Sequence, residues 1–168
     1  MDESGGMSQA ERDLHWMARA LGYAKHAEKE GEVPVGAIVV LDGQVVGVGW
    51  NRCIGTRDPS AHAEIVALRD AGQQLGNYRL SGAELHVTLE PCLMCVGAIV
   101  HARIARVVYA ADDPKTGAAG SMFDLLGSEK HNHRVLVESG VRRDEASRLL
   151  KDFFRSRRAV ERGILAPP

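Results

Sequence analysis

The sequence predicts an α/β domain whose sheet is covered by helices on both faces, on three observations. An apolar stripe at helical spacing opens the chain, a hairpin with a two-residue turn follows, and strand-like and helix-like runs alternate from there to the end. Such alternation implies parallel crossovers, which lay helices across the faces of a sheet.

Each element has a local reason. Leu14, Met17, Ala18, Leu21 and Ala24 recur at the helical period and mark the first helix. Residues 36–41 and 44–50 read as two strands around Asp42-Gly43, a dipeptide that takes the positive φ angles of a tight type I′ turn. Asp58-Pro59-Ser60 offers an N-cap candidate followed by proline, so the next helix opens at His62 and continues through the apolar Ile65, Val66 and Leu68. Leu85, Val87 and Leu89 mark a third strand. Pro91 then reads as a helix beginning, because its missing N–H costs nothing in a first turn. Residues 104–110 and 135–137 give a fourth and a fifth strand. Leu149, Leu150, Phe153 and Phe154 form the stripe of the last helix, with Phe153 as its core member.

The chain has 168 residues, 45% of them hydrophobic, and no apolar run long enough to cross a bilayer. One soluble domain with a proper core is expected over residues 11–162, with a flexible N-terminal extension at 1–10 and a C-terminal tail at 163–168. No internal repeat or linker is evident. Residues 1–9 are polar and lack the apolar stretch of a signal peptide, so a cytoplasmic location and no membrane partner are expected, with Met7 as an alternative start to Met1. Three cysteines argue against a disulfide framework. Two of them have a better use, and Cys53 is left as a buried or partly buried thiol.

The chemistry concentrates in His62-Ala63-Glu64 and Pro91-Cys92-Leu93-Met94-Cys95. Together they supply three ligands suited to zinc, His62, Cys92 and Cys95, and one carboxylate that is not needed as a ligand. A structural zinc site usually has four protein ligands, whereas a catalytic one has three and a water. Glu64 is then free to move protons. Cys92 and Cys95 lie one turn apart at a helix start, whose positive dipole end favours thiolate. His62 and Glu64 are only two apart, and residues two apart on a regular helix point to different sides. The spacing leaves their convergence open. A lone Cys-x-x-Cys is also the pattern of a redox pair, and His-x-Glu is common by chance. In this order, and with proline before the first cysteine, the two match the signature of zinc-dependent nucleobase deaminases. His86 and His101 lie in apolar elements and are expected to be structural.

Beyond that signature the chain resembles the bacterial tRNA-specific adenosine deaminases, the TadA type, over residues 32–158. The resemblance runs through Glu32-Val33-Pro34-Val35-Gly36-Ala37, Gly49-Trp50-Asn51-Arg52, Asp58-Pro59, Ala61-His62-Ala63-Glu64-Ile65 and Asn77-Tyr78-Arg79-Leu80. It continues in Val87-Thr88-Leu89-Glu90-Pro91-Cys92, Lys115-Thr116-Gly117-Ala118-Ala119-Gly120-Ser121, Asn132-His133-Arg134-Val135 and Asp152-Phe153-Phe154-Arg155. It implies a five-stranded mixed sheet in a three-layer α/β/α sandwich of the cytidine deaminase-like kind. It also implies one Zn²⁺ per chain, a homodimer whose partner helps complete the site, and the wobble adenosine of a tRNA anticodon stem-loop as substrate. The expected reaction is hydrolytic attack at C6 of adenine. Glu64 would take the water proton, deliver it to N1 and later protonate the departing ammonia, giving inosine. Asn51 matches a position that contacts the target nucleotide, and the Ala63 backbone N–H is expected to help hold the base. Asp113, Lys115, Phe154 and Arg155 match regions that touch neighbouring loop nucleotides. Asp112 and Pro114 make the loop around Asp113 more acidic and stiffer than the family pattern.

A formal net charge of −1 is poor for an RNA partner, but its distribution is uneven. Between Arg142 and Arg162 eight basic residues face four acids, which makes the last helix a phosphate-facing edge if it is not simply a solvated face. Two alternatives stand beside the RNA deaminase: a deaminase of free guanine or cytosine, and a non-catalytic, zinc-stabilised RNA-binding subunit. The basic helix argues against the first and Glu64 against the second.

Overall fold

The computed structural model describes residues 5–167. Residues 1–4 of the expected extension, including Met1, and Pro168 of the tail lie outside the described residues. The elements are α1 (Gln9–Lys29), β1 (Gly36–Leu41), β2 (Gln44–Trp50), α2 (Cys53–Thr56), α3 (Ala63–Leu75), β3 (Glu84–Leu89), α4 (Leu93–His101), β4 (Arg106–Ala111), β5 (Leu136–Ser139) and α5 (Arg143–Glu161). Helix α1 starts at Gln9 because Ser8 and Glu11 form a capping box: each side chain accepts the other's backbone N–H.

The sheet order is β2-β1-β3-β4-β5. β1 pairs antiparallel with both β2 and β3, while β3, β4 and β5 run parallel. The hairpin forms where Asp42-Gly43 predicted it, with φ of 51° and 72° at the two turn residues. The alternation after the hairpin yields the parallel half, and the whole is the mixed five-stranded, three-layer sandwich.

Period-2 alternation sorts the sheet into two cores. Ala37, Val39, Leu85, Val87, Val107 and Tyr109 face α3 and α4, where Ala67, Leu68, Val96 and Ile99 meet them. On the opposite face Val108 and Ala110 meet Met17, Ala20 and Leu21 of α1 and Ala146 of α5, while Ile38 and Val40 pack on Trp16.

The stripe expected on α1 is corrected. Leu14 and Ala18 face solvent, and the buried side carries Asp13, Trp16, Met17, Ala20, Leu21, Ala24 and Ala27. The reason is Arg106 of β4, whose two terminal nitrogens donate to the two Asp13 oxygens at 2.7 and 2.6 Å. Burial works against the Asp13 carboxylate, yet Arg106 and Gln9 outweigh it and hold its pKa below the ordinary value. Glu84 also accepts from Arg106, at 3.3 Å. Glu84 also meets buried His86, at 3.2 Å. His101 is exposed at the end of α4. On α5, Phe153 is buried, whereas Phe154 stands out 44% exposed and Leu149 and Leu150 are half-buried.

Helix α3 lies against β2 at a distance that excludes side chains. A Cβ on Gly49 would collide with the Ala63 carbonyl oxygen and sit 2.5 Å from the Ala67 nitrogen. A Cβ on Gly47 would lie 2.5 Å from the Ala67 oxygen and 2.7 Å from the Ala71 nitrogen. Both neighbours are helix backbone and have no rotamer to change. Gly49→Ala is therefore expected to destabilise the fold by about 2 kcal/mol through overpacking. A urea midpoint equal to that of the wild type would show that α3 does not rest there.

Candidate active site

Two helix N-termini meet at one point. His62 is the N-cap of α3, with extended backbone (φ −70°, ψ 154°), and Cys92 is the N-cap of α4 (φ −77°, ψ 173°). The expected starts shift accordingly. Asp58 does not cap α3 but accepts from the Ser60 N–H and hydroxyl at 2.8 and 2.7 Å, tightening the turn before it. Pro91 stands one residue before the N-cap of α4 and not in its first turn.

The N-cap geometry resolves the spacing left open by the sequence. Because His62 is extended and not helical, the rule for residues two apart on a helix does not apply to His62 and Glu64. Glu64, in the first turn of α3, is buried and lies in hydrogen-bond contact with Cys95. The His62 Nδ1 lies 3.5 Å from Cys92 Sγ and 3.6 Å from Cys95 Sγ. His62, Cys92 and Cys95 form a group that could hold a metal ion. Neither N-cap side chain makes a capping hydrogen bond to its helix.

The electrostatics follow from this crowding. Hydrogen bonding from Cys95, against the opposing effect of burial, pulls the Cys92 thiol down to about 4. Cys95 is pushed up, first by Cys92 and then by burial. The two neighbouring sulfurs are thus shifted in opposite directions, as close titratable groups that share one site are. His62 is raised by its hydrogen bond to Cys92. Burial raises the pKa of Glu64, with Cys95 and His62 working the other way.

Asn51 follows β2 and reaches the same helix start: its Oδ1 accepts the Ala63 N–H at 2.8 Å. The Ala63 N–H expected to help hold the base thus has Asn51 as its partner in this structure. Asp113 is likewise occupied locally, accepting from the Thr116 hydroxyl at 2.7 Å and from the Lys115 and Thr116 N–H groups at 3.1 and 3.2 Å. Lys115 is exposed. Phe154 meets the buried Phe153 edge-on at 5.4 Å, and Arg155 lies 3.5 Å from Asp152, both exposed. Among the described residues, no hydrogen bond or ion pair links Lys115, Phe154 or Arg155 to the His62, Cys92 and Cys95 group.

A residue that sequence reasoning missed is Glu90. It is buried immediately before Pro91 and accepts from the Asp113, Ala119 and Ser121 N–H groups at 3.1, 3.0 and 3.1 Å, and from the Ser121 hydroxyl. The small-residue run 117–121 was the one signal for it, because backbone approaches a side chain that closely only where side chains are absent. A recess of about 700 Å³ between α3 and α4 is lined by Ile65, Leu68, Arg69, Tyr78, Ala98 and His101 among others, and by none of His62, Glu64, Cys92 or Cys95.

On the eight basic residues of the last helix the structure divides the work. Arg142 donates to the Leu14 carbonyl and to Glu145, Arg143 lies 3.5 Å from Asp112, and Arg157 donates to the Gly31 carbonyl while stacking over Phe153. These three tie α5 to the body. Arg148, Lys151 and Arg158 are exposed on the helix.

Comparisons with known proteins agree with this geometry. The family model of the MafB19-like deaminases matches residues 11–158. The chain is 48% identical over 161 residues to a tRNA-specific adenosine deaminase of Haemophilus influenzae, covering 94% of this chain and 93% of that one. It is 43% identical to a tRNA-specific adenosine deaminase of Bacillus subtilis, covering 88% and 91%. A solved structure from work on A-to-I editing by tRNA:A34 deaminases at the wobble position of transfer RNA superposes with a TM-score of 0.78 at 45% identity, covering 81% of this chain and 99% of that one. A guanine deaminase from Nitrosomonas europaea superposes with a TM-score of 0.74 at 27% identity, covering 83% of each.

Proposed function

Because this chain belongs to the tRNA-specific adenosine deaminases, we propose that His62, Cys92 and Cys95 hold one zinc ion and that Glu64 shuttles protons beside it. The chain converts adenosine to inosine at the wobble position of a tRNA anticodon loop. The observation that carries this reading is the meeting of two helix N-termini on three ligands with a fourth, buried carboxylate left over.

The donors suit the metal. A tetrahedral zinc with Zn–S of about 2.3 Å and Zn–N of about 2.0–2.1 Å spaces sulfur and nitrogen about 3.6 Å apart, and the observed separations are 3.5 and 3.6 Å. When bound, zinc supplies a water acidified to a pKa of about 7 as the nucleophile. Glu64 accepts the proton that the attacking water loses and passes it to N1 of adenine so that C6 becomes more electrophilic; it then takes the remaining proton from the hydroxyl added at C6 and gives it to the amine, which leaves as ammonia as the C6–N bond breaks and the C6 carbonyl forms. Adenosine and water become inosine and ammonia. The raised pKa of Glu64 suits a group that must both take and give a proton.

Asn51 has its oxygen committed to Ala63 and therefore offers its NH₂ to the base. Attack at C6 needs a base out of its stack, so the substrate is a splayed loop nucleotide. Lys115, Phe154 and Arg155, with Arg148, Lys151 and Arg158, supply stacking area and positive charge for the flanking nucleotides and phosphates. Asp113 shapes the turn that presents Lys115. Two chains form the working unit, with Tyr78 and His101 around the α3–α4 recess offered to the second copy. No helix among the described residues is long and apolar enough to cross a membrane, and the enzyme works in the cytoplasm, where tRNA is processed.

The test incubates the protein with an anticodon stem-loop carrying adenosine at the wobble position and sequences the product. Inosine at that position alone is expected. Free adenosine, guanine and cytosine run beside it, and ammonia released from free guanine with no inosine in the RNA would overturn the reading in favour of a free-base deaminase.

A further inference from the structure

The turn that delivers Cys92 is tied to the loop carrying Asp113 and Lys115. Glu90 sits at that junction, after β3 and two residues before the cysteine. Its carboxylate, 2% exposed, takes four hydrogen bonds from a segment 23 to 31 residues further along: the N–H groups of Asp113, Ala119 and Ser121 and the Ser121 hydroxyl. Two backbone contacts run beside it. Cys92 pairs with Gly117 as an antiparallel bridge, and the Ala118 N–H donates to the Pro91 carbonyl at 2.8 Å. The packing leaves no slack. A Cβ on Gly117 would collide with the Glu90 carboxylate and lie 2.5 Å from the Asp113 carbonyl oxygen.

A buried carboxylate satisfied by loop backbone donors serves neither the sheet nor the hydrophobic core. Its partners all lie on one segment, and that segment bears two of the residues assigned to RNA. We infer that Glu90 is a positioning residue that clamps the 113–121 loop onto the turn before α4, holding the RNA-contacting loop in fixed register with the metal ligands. The inference rests on the functional reading above, because it assigns the loop to the same substrate.

The chemistry of the clamp is specific to a carboxylate. Two anionic oxygens accept all four donors. A glutamine of equal size keeps one acceptor and turns an NH₂ toward N–H groups that need acceptors. Binding and chemistry separate here, since the Glu90 carboxylate bonds only the 113–121 loop and that loop meets RNA beyond the reacting base.

The experiment compares wild type and Glu90→Gln, both zinc-loaded, by zinc content, site-resolved amide hydrogen exchange and steady-state kinetics on the anticodon stem-loop. Glu90→Gln is expected to keep one zinc per chain and the exchange protection of α4, while the Ala119 and Ser121 amides exchange at least tenfold faster. KM for the stem-loop is expected to rise tenfold or more, with kcat within threefold of wild type. Unchanged exchange at those two amides, or faster exchange with an unchanged KM, overturns the inference. If Glu90→Gln fails to fold or to hold zinc, Ser121→Ala decides, since it removes one donor and leaves the carboxylate and three amide bonds in place. A severalfold higher KM at constant kcat then supports the clamp, and an unchanged KM overturns it. Wild-type protein that makes no inosine would overturn the functional reading instead. In that case the exchange arm still decides whether Glu90 holds the loop.

Discussion

Glu64→Gln abolishes turnover while the protein stays folded and metal-loaded: inosine formation under single-turnover conditions is expected to fall by about 10²- to 10⁴-fold, the range that a positioned acid–base group contributes. Glutamine keeps the volume and the hydrogen-bonding reach of a side chain buried at the start of α3 and in contact with Cys95. It cannot accept the water proton, and so it has none to hand to the base or to the leaving amine. His62, Cys92 and Cys95 are untouched, so metal content measured by mass spectrometry should equal that of wild type, as should affinity for the stem-loop. Activity within tenfold of wild type in a fully loaded sample would remove Glu64 from the proton path.

The second large effect is on the metal. Cys92→Ser is expected to lose zinc on dialysis against a chelator that leaves wild type loaded, and deamination is expected to fall below detection with it. A serine hydroxyl does not ionise near neutral pH, whereas the Cys92 thiol is held at about 4 and is already a thiolate there. Wild type stripped by a stronger chelator should regain activity when zinc is returned, and Cys92→Ser should not. The fold should persist through stripping, because the core on the α3–α4 face is apolar and continuous without the metal. Loss of the circular-dichroism signal on stripping, or full zinc retention by the serine variant, would contradict this assignment.

Most of the architecture was legible because its signals are local. Asp42-Gly43 can only turn in a few ways, and the strands on either side fall where the turn requires them. That His62, Cys92 and Cys95 come together as a group that could hold a metal was legible because it depends on residue chemistry, not on register. What escaped depends on distant partners. On α1 Met17, Leu21 and Ala24 are buried as expected, but Leu14 and Ala18 lie outside and Asp13 goes inside to meet Arg106, 93 residues away. The orientation of His62 and Glu64 could not be read because helical spacing says nothing about an extended N-cap. The hydrogen bond that joins Ala63 to Asn51, twelve residues earlier, was not legible either, because it links a loop side chain to a helix backbone. Glu90 left only the indirect signal of the small-residue run 117–121, since most of its partners are backbone amides that every residue possesses.

The N-cap positions of α3 and α4 are held by His62 and Cys92, two of the proposed metal ligands, and neither makes a capping hydrogen bond. Serine or aspartate at such a position typically stabilises a protein by about 1 kcal/mol relative to alanine. Anyone hardening this enzyme against heat therefore finds the most rewarding helix-start substitutions closed at two of its helices, and must look to the far ends of α3 and α4 or to α1 and α5. Robustness and reactivity compete here for the same two addresses in the chain, and reactivity holds both.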